Sequence, residues 1–385
     1  MSISGLTPIS SYLLSAQYFL FLPDTSVSIC ISIQATPEKS AVDMAFESIN
    51  SLPPNYKKAF ELFKKAAEQG DPDAQYNLGF MYSNGKGVTK SYKNAVKWYK
   101  KAAEQGDAKA QYNLGFMYSN GKGVTKSYVK AFKWHEKAVD LYEKAAEQGY
   151  AVAQNNLGFM YEQGRGVVKD YEKAVEWYEK AADQSYAPAQ NNLGLMHEKG
   201  RGVAKDYEEA VAWFRKAADQ GYVFAQNNLG VMYEKGFGLV KDYEEAVAWY
   251  TKAAEQGYPK AQNNLGTMYV HGRGGLTKDD KEAVAWYEKA AEQGCVDAQF
   301  NLGLMYAAGR GVDKDDIAAV AWFRKAAEQG LAGAQNNLGV MYEEGLGVAQ
   351  DKKEAVAWYR KAAEQGFAGA QNNLALMYEQ GHVGD

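Results

Sequence analysis

The chain has 385 residues, more than one ordinary compact domain, and 46% apolar and 23% charged residues, a composition typical of folded proteins. Its 43 basic and 47 acidic side chains are mixed along the sequence and leave a net charge of −4, which excludes a broad basic field for nucleic acid. The two cysteines, Cys30 and Cys295, lie far apart in dissimilar contexts, which excludes a disulfide framework and a cysteine metal site.

Residues 1–53 precede the repeated part of the chain and form an N-terminal extension of unassigned structure. An apolar run covers residues 12–22, as in a secretory signal segment, but such a segment normally has a basic residue before the run. Here the first basic residue is Lys39. Three interpretations stay open: a weak signal segment, a disordered extension, or a mature chain that starts at Met44.

The cellular compartment of the protein depends on whether this N-terminal segment is a signal. No run of eighteen apolar residues exists, so the sequence predicts no integral membrane span. We expect a cytoplasmic protein. Secretion or association with the cell envelope is the alternative if residues 1–35 are a signal segment.

The rest of the chain repeats itself. The pentapeptide AAEQG, or a close variant, recurs at intervals of 36 or 37 residues with one interval of 43. Its copies start at Ala66, Ala102, Ala145, Ala181, Ala217, Ala253, Ala290, Ala326 and Ala362. Asn-Leu-Gly keeps step with it, as at residues 156–158, and each repeat holds one tryptophan. A fixed period in this range indicates a stacked array of supersecondary units.

Residues 150–185 represent one unit. Apolar residues around Leu157 recur every three or four positions, which predicts one face of a helix, and Gly164 ends it. Asp170 then caps a second helix, in which Tyr178 belongs to the apolar face. Each unit is therefore predicted to be a helical hairpin.

Helix starts carry additional signals in neighbouring units. Asp206 with Glu209, and Asp242 with Glu245, have the spacing of a capping box. Pro188 stands at the start of a first helix, where its missing amide hydrogen costs little.

Two units depart from the regular length. The unit at 107–149 has seven extra residues, which is about two helical turns, so we predict a longer second helix there with the same face inward. The unit at 258–294 has one extra residue, Gly275, which we place in a loop.

The combined pattern resembles the Sel-1-like repeat family, which is related to tetratricopeptide repeats. The pattern is Ala-x-x-x-Leu-Gly-x-x-Tyr, then Gly-x-Gly-Val, then Ala-x-x-Trp-Tyr/Phe-x-Lys-Ala-Ala-x-x-Gly, and residues 206–221 match the last part almost completely. The resemblance implies an all-α solenoid of αα-hairpins wound into a right-handed superhelix. We expect eight complete repeats of about 36 residues, with a half-repeat at each end, over residues 54–385.

The chain departs from the family pattern at several points. One branch of the family has paired cysteines that staple its repeats, and this chain lacks them. His197 stands where the first helix usually has tyrosine, and His135 follows Trp134 where an aromatic residue is usual. The last repeat stops at Asp385 after its first helix.

The sequence contains no motif that predicts a catalytic residue, a metal site or a cofactor. The histidines occupy different repeats at different positions, without metal-ligand spacing, and we expect surface or edge positions for them: His135, His197, His271 and His382. Ser-x-x-Lys occurs, as at Ser83, but the companion elements of acyl-transfer enzymes are missing.

Three columns of residues run along the predicted first helices. The first asparagine column contains Tyr76, Tyr112, Asn155, Asn191, Asn227, Asn263, Phe300, Asn336 and Asn372. The apolar column contains Phe80, Phe116, Phe159, Leu195, Val231, Thr267, Leu304, Val340 and Leu376. The second asparagine column contains Asn77, Asn113, Asn156, Asn192, Asn228, Asn264, Asn301, Asn337 and Asn373.

Two interpretations of these columns stay open. Asparagine amides can bond the backbone of an extended peptide, so the first asparagine column beside the apolar column is a candidate binding site. In the alternative, the apolar column packs between repeats and the asparagines face water. We expect the second asparagine column to be structural. The candidate partner-binding residues are Asn155, Asn191, Asn227, Asn263, Asn336, Phe159 and Leu195.

The predicted function is a scaffold or adaptor that binds a partner protein or peptide along the concave face, and not an enzyme. Two alternatives stay open: a secreted or envelope-associated adaptor of the same family, and a hydrolase with its site in the groove. The sequence leaves the partner and the oligomeric state undetermined.

Overall fold

The computed structural model describes residues 40–51 and 55–379, and this part of the chain is helical with nineteen α-helices joined by short loops. Cys30, His382 and the candidate signal segment lie outside the described residues. The helices are α1 (Ala41–Asn50), α2 (Tyr56–Glu68), α3 (Pro72–Asn84), α4 (Tyr92–Glu104), α5 (Ala108–Asn120), α6 (Tyr128–Glu147), α7 (Ala151–Gln163), α8 (Tyr171–Asp183), α9 (Ala187–Lys199), α10 (Tyr207–Asp219), α11 (Val223–Lys235), α12 (Tyr243–Glu255), α13 (Pro259–His271), α14 (Asp280–Glu292), α15 (Val296–Ala308), α16 (Asp316–Glu328), α17 (Ala332–Glu344), α18 (Lys352–Glu364) and α19 (Ala368–Glu379).

The predicted hairpin is confirmed. In each hairpin we call the first helix the A helix and the second the B helix, so α7 is an A helix and α8 its B helix. The A helix ends at Gly164, which adopts the left-handed conformation (φ 64°) that favours glycine. The B helix begins after Asp170, whose side chain accepts a hydrogen bond from the Lys173 amide at 3.0 Å.

The hydrophobic core lies between successive hairpins. One cluster joins Tyr178 of α8 to Leu193 of α9, with Trp213 of α10 packed against it. Because the cluster draws on two hairpins, one hairpin alone would expose it to water. Complete burial of a large apolar side chain contributes about 1.5–3 kcal/mol, which makes stacking the main stabilising interaction.

The glycine of each Asn-Leu-Gly motif allows the two helices of a hairpin to approach. A Cβ atom on Gly158 would lie 2.8 Å from the ring of Tyr178, closer than atoms normally approach. The motif is therefore a packing requirement, because any larger residue would push the aromatic ring away.

The chain divides into two compact units, residues up to Ala217 and residues from Ala218 onward. In the first unit, α3 pairs with α4, α5 with α6, and α7 with α8. In the second unit, α11 pairs with α12, and the pairing continues to α17 with α18, followed by α19. The same arrangement of hairpins thus recurs within each unit.

Helix α1 lies within residues 1–53, the part of the chain without a predicted structure. It starts with a capping box between Ser40 and Asp43 and pairs with α2. The ring of Phe46 packs edge-on against Phe63 at 5.3 Å. Helix α2 is therefore the second half of a hairpin rather than an isolated half-repeat.

Helix α6 is longer than the other B helices, as predicted, with 20 residues against 13 in α8. Gly202 packs against Tyr171, the first residue of α8, whereas Gly166 packs against His135, seven residues after the start of α6. The next hairpin thus leaves the first two turns of α6 uncovered. Phe132 is 50% exposed there.

The predicted capping boxes form only in part. The Asp206 carboxylate accepts hydrogen bonds from the amides of Glu208 and Glu209, at 2.9 and 3.0 Å. The amide of Asp206 itself donates to the carbonyl of His197 at 3.0 Å, which takes the place of the predicted return bond from the glutamate. Gly275 lies in the loop after α13, as predicted.

Candidate partner-binding face

The first asparagine column lies deeper in the fold than predicted. Its asparagines in the middle of the chain are only 3–9% exposed, and Asn336 is half-buried. The buried members are Asn155, Asn191, Asn227 and Asn263. These four asparagines therefore do not face water, as one of the two interpretations expected.

These buried amides link successive A helices. The oxygen of Asn155 accepts a hydrogen bond from the Asn192 amide at 2.9 Å, and Asn336 accepts from Asn373 at 3.0 Å. The same bond recurs from Asn264 to Asn227, at 3.1 Å, and from Asn301 to Asn263, at 2.9 Å. For the buried residues Asn155, Asn227 and Asn263, the bond satisfies an oxygen that would otherwise destabilise the fold by about 1–3 kcal/mol.

The second asparagine column is the more accessible one along most of the array. Asn192, Asn264 and Asn301 are half-buried, although Asn77 and Asn156 are buried. Adjacent residues on a helix point about 100° apart, so one column lies between two A helices while the other turns toward the open side. The two columns therefore point in the opposite directions to those predicted, because the spacing alone does not show on which side the next A helix packs.

The apolar column combines packing with partial exposure. Phe159 and Leu195 are half-buried, and Phe159 packs against the core clusters on both sides of it. Leu304 in the same column is 40% exposed. We call the second asparagine column and the apolar column together the A-helix face, because their residues are three positions apart on the same side of each A helix.

A ladder of glutamines, which was not predicted, joins A helices to the B helices on either side of them. The amide of Gln154 donates to the carbonyl of Ala146, at the end of the preceding B helix, at 3.1 Å. Its oxygen accepts from Gln184, at the end of its own B helix, at 2.7 Å. The available signal was the glutamine that recurs in both Ala-Gln and AAEQG, and it is a framework residue in both places.

The ladder is interrupted at the long helix α6. The oxygen of Gln111 is buried and has no hydrogen-bond partner among the described residues. In the next hairpin Gln184 bonds Gln154, and the corresponding pair here is Gln148 and Gln111. Two additional turns lengthen a helix by about 10 Å, which carries Gln148 too far along α6 to reach Gln111. The insertion thus alters the polar contacts of its own hairpin.

Glu162 connects a buried tyrosine to a loop cation. Its carboxylate accepts a hydrogen bond from the Tyr178 hydroxyl at 2.9 Å and lies 3.6 Å from the guanidinium of Arg201. Burial, followed by the charge of Glu162, holds the pKa of Tyr178 well above its usual range. The tyrosine therefore stays protonated and serves as a hydrogen-bond donor.

The histidines do not share one environment. His135 is only 4% exposed, so the expected surface or edge position is wrong for this residue. Burial lowers its pKa to about 4, and its Nε2 atom has no partner among the described residues. His197 is half-buried and His271 is exposed.

No concentration of reactive groups stands out in residues 40–51 and 55–379. This part of the chain contains no group of three or more histidine, cysteine, aspartate or glutamate side chains that could hold a metal ion. Burial raises the pKa of the half-buried Cys295 thiol, which disfavours a reactive thiolate. The Ser83 hydroxyl donates to the carbonyl of Phe80 at 2.8 Å, as a local helix contact.

Nor does any helix of the described chain have the length and apolar character needed to cross a bilayer.

These features define a class of protein, an array of stacked helical hairpins with a repeated face. The sequence model of the Sel1 repeat matches eleven segments of the chain. They are residues 41–71, 72–107, 108–141, 135–150, 151–186, 187–222, 223–258, 259–295, 296–331, 332–367 and 368–384. The chain belongs to the Sel1 repeat family.

Solved structures include several similar proteins. A Sel1 repeat protein from Oxalobacter formigenes is 33% identical, with 95% of this chain and 99% of that chain covered and a TM-score of 0.56. The protective antigen c5321 of uropathogenic Escherichia coli, which displays an SLR fold, is 36% identical, with coverages of 88% and 79% and a TM-score of 0.43. Immunity protein Pa5087 from Pseudomonas aeruginosa is 27% identical, with coverages of 59% and 82% and a TM-score of 0.43. No curated protein matches the chain.

Proposed function

We propose that this protein is an interaction scaffold that binds a partner protein or peptide along its A-helix face. The observation that carries the proposal is the repetition of one set of half-buried amide and apolar side chains from hairpin to hairpin. An elongated partner could contact this set at several repeats, with apolar side chains in the apolar column and backbone groups at the asparagine amides.

The candidate residues have two roles in this proposal. Phe159 and Leu195 contact the partner directly, because both are partly accessible and apolar. The first asparagine column contributes indirectly, because Asn155 and its equivalents position the amides of the second column through hydrogen bonds. Sel1 repeat proteins are commonly interaction scaffolds, which supports the same assignment.

The test is capture of partners by the immobilised full-length chain from a lysate of its own cells, with quantitative mass spectrometry. The test variant carries Phe159→Thr and Leu195→Thr. Thr267 occupies the same column naturally, so this position accepts a threonine. We expect a specific partner to bind the wild type and to be reduced at least about tenfold, since two apolar anchors are lost.

The matched control carries Glu179→Gln, on the exposed side of α8. It should retain the partner, and both variants should keep the wild-type circular dichroism spectrum. Equal capture by the threonine variant would reject the A-helix face as the binding site. Absence of any specific partner for the wild type would argue against the scaffold function itself.

A further inference from the structure

The loops between A and B helices place a cation between two glycines in most repeats. In two of these loops the cation is neutralised by a carboxylate of the preceding hairpin. Arg201 lies 3.6 Å from Glu162, and Arg310 makes two hydrogen bonds with Asp280, at 2.7 and 3.1 Å. Such paired cations are part of the framework between hairpins.

Arg165 occupies the same loop position but has no such carboxylate. The residue that corresponds to Glu162 in the preceding A helix is Ser119. Arg165 forms no ion pair with any described residue, and its guanidinium donates to the hydroxyl of Tyr112. A half-buried cation without a counter-ion has lost part of its hydration and gained no charge partner in exchange.

Three aromatic rings surround this guanidinium. Its central carbon lies 5.2 Å from the ring centre of Tyr112, 5.7 Å from Phe159 and 6.0 Å from Phe116. Phe116 and Phe159 are members of the apolar column, so Arg165 lies at the A-helix face. Cation–π contacts hold the guanidinium in place but do not neutralise its charge.

A second cation lies against one of these rings. The Lys122 ammonium is 5.1 Å from the ring centre of Phe116, and Lys122 likewise forms no ion pair with a described residue. In its case the position of Glu162 is occupied by Ser83. Two uncompensated positive charges therefore flank one half-buried phenylalanine.

The long helix α6 explains why Arg165 stacks on A-helix rings. Arg201 lies 5.5 Å from the ring of Tyr171, the first residue of α8, in addition to its ion pair. Beside Arg165, Gly166 contacts the preceding B helix at His135, seven residues after the start of α6. The tyrosine that starts α6 is therefore out of reach of Arg165.

We propose that Lys122 and Arg165 form an anion-binding site on the A-helix face that takes the carboxylates of an acidic segment of the partner protein. The site rests on the proposed scaffold function and gives its partner a chemical character. A carboxylate accepts two hydrogen bonds from a guanidinium fork, and the lysine adds a second charge. Phe116 and Phe159 provide apolar contact beside it.

The test measures binding of a fluorescein-labelled oligoglutamate peptide to the full-length chain by fluorescence anisotropy at low salt. The double variant Lys122→Gln/Arg165→Gln removes both charges. The control Lys241→Gln/Arg310→Gln removes the same net charge elsewhere, from an exposed loop lysine and from the arginine paired with Asp280. We expect at least about tenfold weaker binding for the first variant and less than about twofold for the control.

Equal loss in both double variants would show a non-specific charge effect and overturn the proposal. So would unchanged binding in the first variant, or no binding of oligoglutamate to the wild type. Binding of a phosphoserine peptide but not of oligoglutamate would also reject an acidic segment as the ligand. If the capture experiment identifies a partner while oligoglutamate fails, the scaffold function stands and only the anion site is rejected.

Discussion

At the scale of single residues, polar side chains join the hairpins as firmly as apolar ones do. Gln154 links its A helix to two B helices, and Asn155 links it to the next A helix. Each of these side chains is buried and satisfied, so its removal would leave a partner without a hydrogen bond. Recurrent asparagine and glutamine in this chain therefore belong first to the framework.

Burial of His135 makes the stability of the fold depend on pH. A folded-state pKa of about 4, below the unfolded value of 6.5, means that the unfolded chain binds the proton more readily. The stabilising contribution is therefore complete above pH 6.5 and is lost as the pH falls toward 4. Urea unfolding should show a loss of about 2 kcal/mol from this residue between pH 7 and pH 5.

His135→Tyr is the matched control for that loss. Tyrosine occupies the corresponding place at Tyr99, where its hydroxyl lies 3.4 Å from the Ser83 hydroxyl. The variant should fold and show a smaller decrease in stability over the same pH range. An identical decrease in both proteins would mean that other groups cause the pH dependence.

At the scale of secondary-structure elements, α6 is the one B helix that changes its surroundings. Its seven extra residues expose Phe132, whereas Val96, at the same place in α4, is 9% exposed. They also separate Gln148 from Gln111 and move the contact of the next hairpin to His135. A regular repeat would have none of these features.

Deletion of residues 135–141 should convert α6 into a regular B helix. Trp134 would then precede Tyr142, which recreates the Trp-Tyr-x-Lys-Ala-Ala pattern of the other repeats. We expect a folded protein that is more stable by about 1–2 kcal/mol, because Phe132 becomes buried and the Gln111 oxygen regains a partner. Chemical denaturation measures the change.

The same deletion should weaken binding of oligoglutamate, because Arg165 would return to the start of the preceding B helix. A marked loss of stability would instead show that the long helix is required by its neighbours.

At the scale of the whole molecule, stability comes from contacts between adjacent hairpins. The core clusters join one B helix to the next A helix, as Tyr178 joins Leu193, and the same arrangement recurs within each of the two units. In an array of this kind the stability is approximately a sum of repeat and interface contributions. Damage to one cluster should therefore spread only to its neighbours.

Leu157→Ala tests this expectation in the first unit. Leu157 is completely buried, so the substitution should destabilise its surroundings by about 3 kcal/mol. Hydrogen exchange followed by mass spectrometry should show faster exchange in α6, α7 and α8, with α17 and α18 unchanged. Uniformly faster exchange along the whole chain would indicate a single cooperative unit instead.

Much of the fold could be predicted from the sequence alone. The 36-residue period, the apolar spacing around Leu157 and the stop at Gly164 are local properties, and they sufficed to predict the hairpin and the longer α6. Helix α1 was not predicted, because residues 41–50 lack the tryptophan and Asn-Leu-Gly markers of the other repeats.

The direction of side chains on the A helices depended on tertiary structure. Asn155 and Asn156 are adjacent and chemically identical, so only the packing of the next A helix decides which of them is bridged by Asn192. The charge of Arg165 is likewise local, but whether it meets a carboxylate depends on a residue in the preceding hairpin. Sequence thus determined the repeating unit, whereas contacts between units decided which polar groups are satisfied and which remain available.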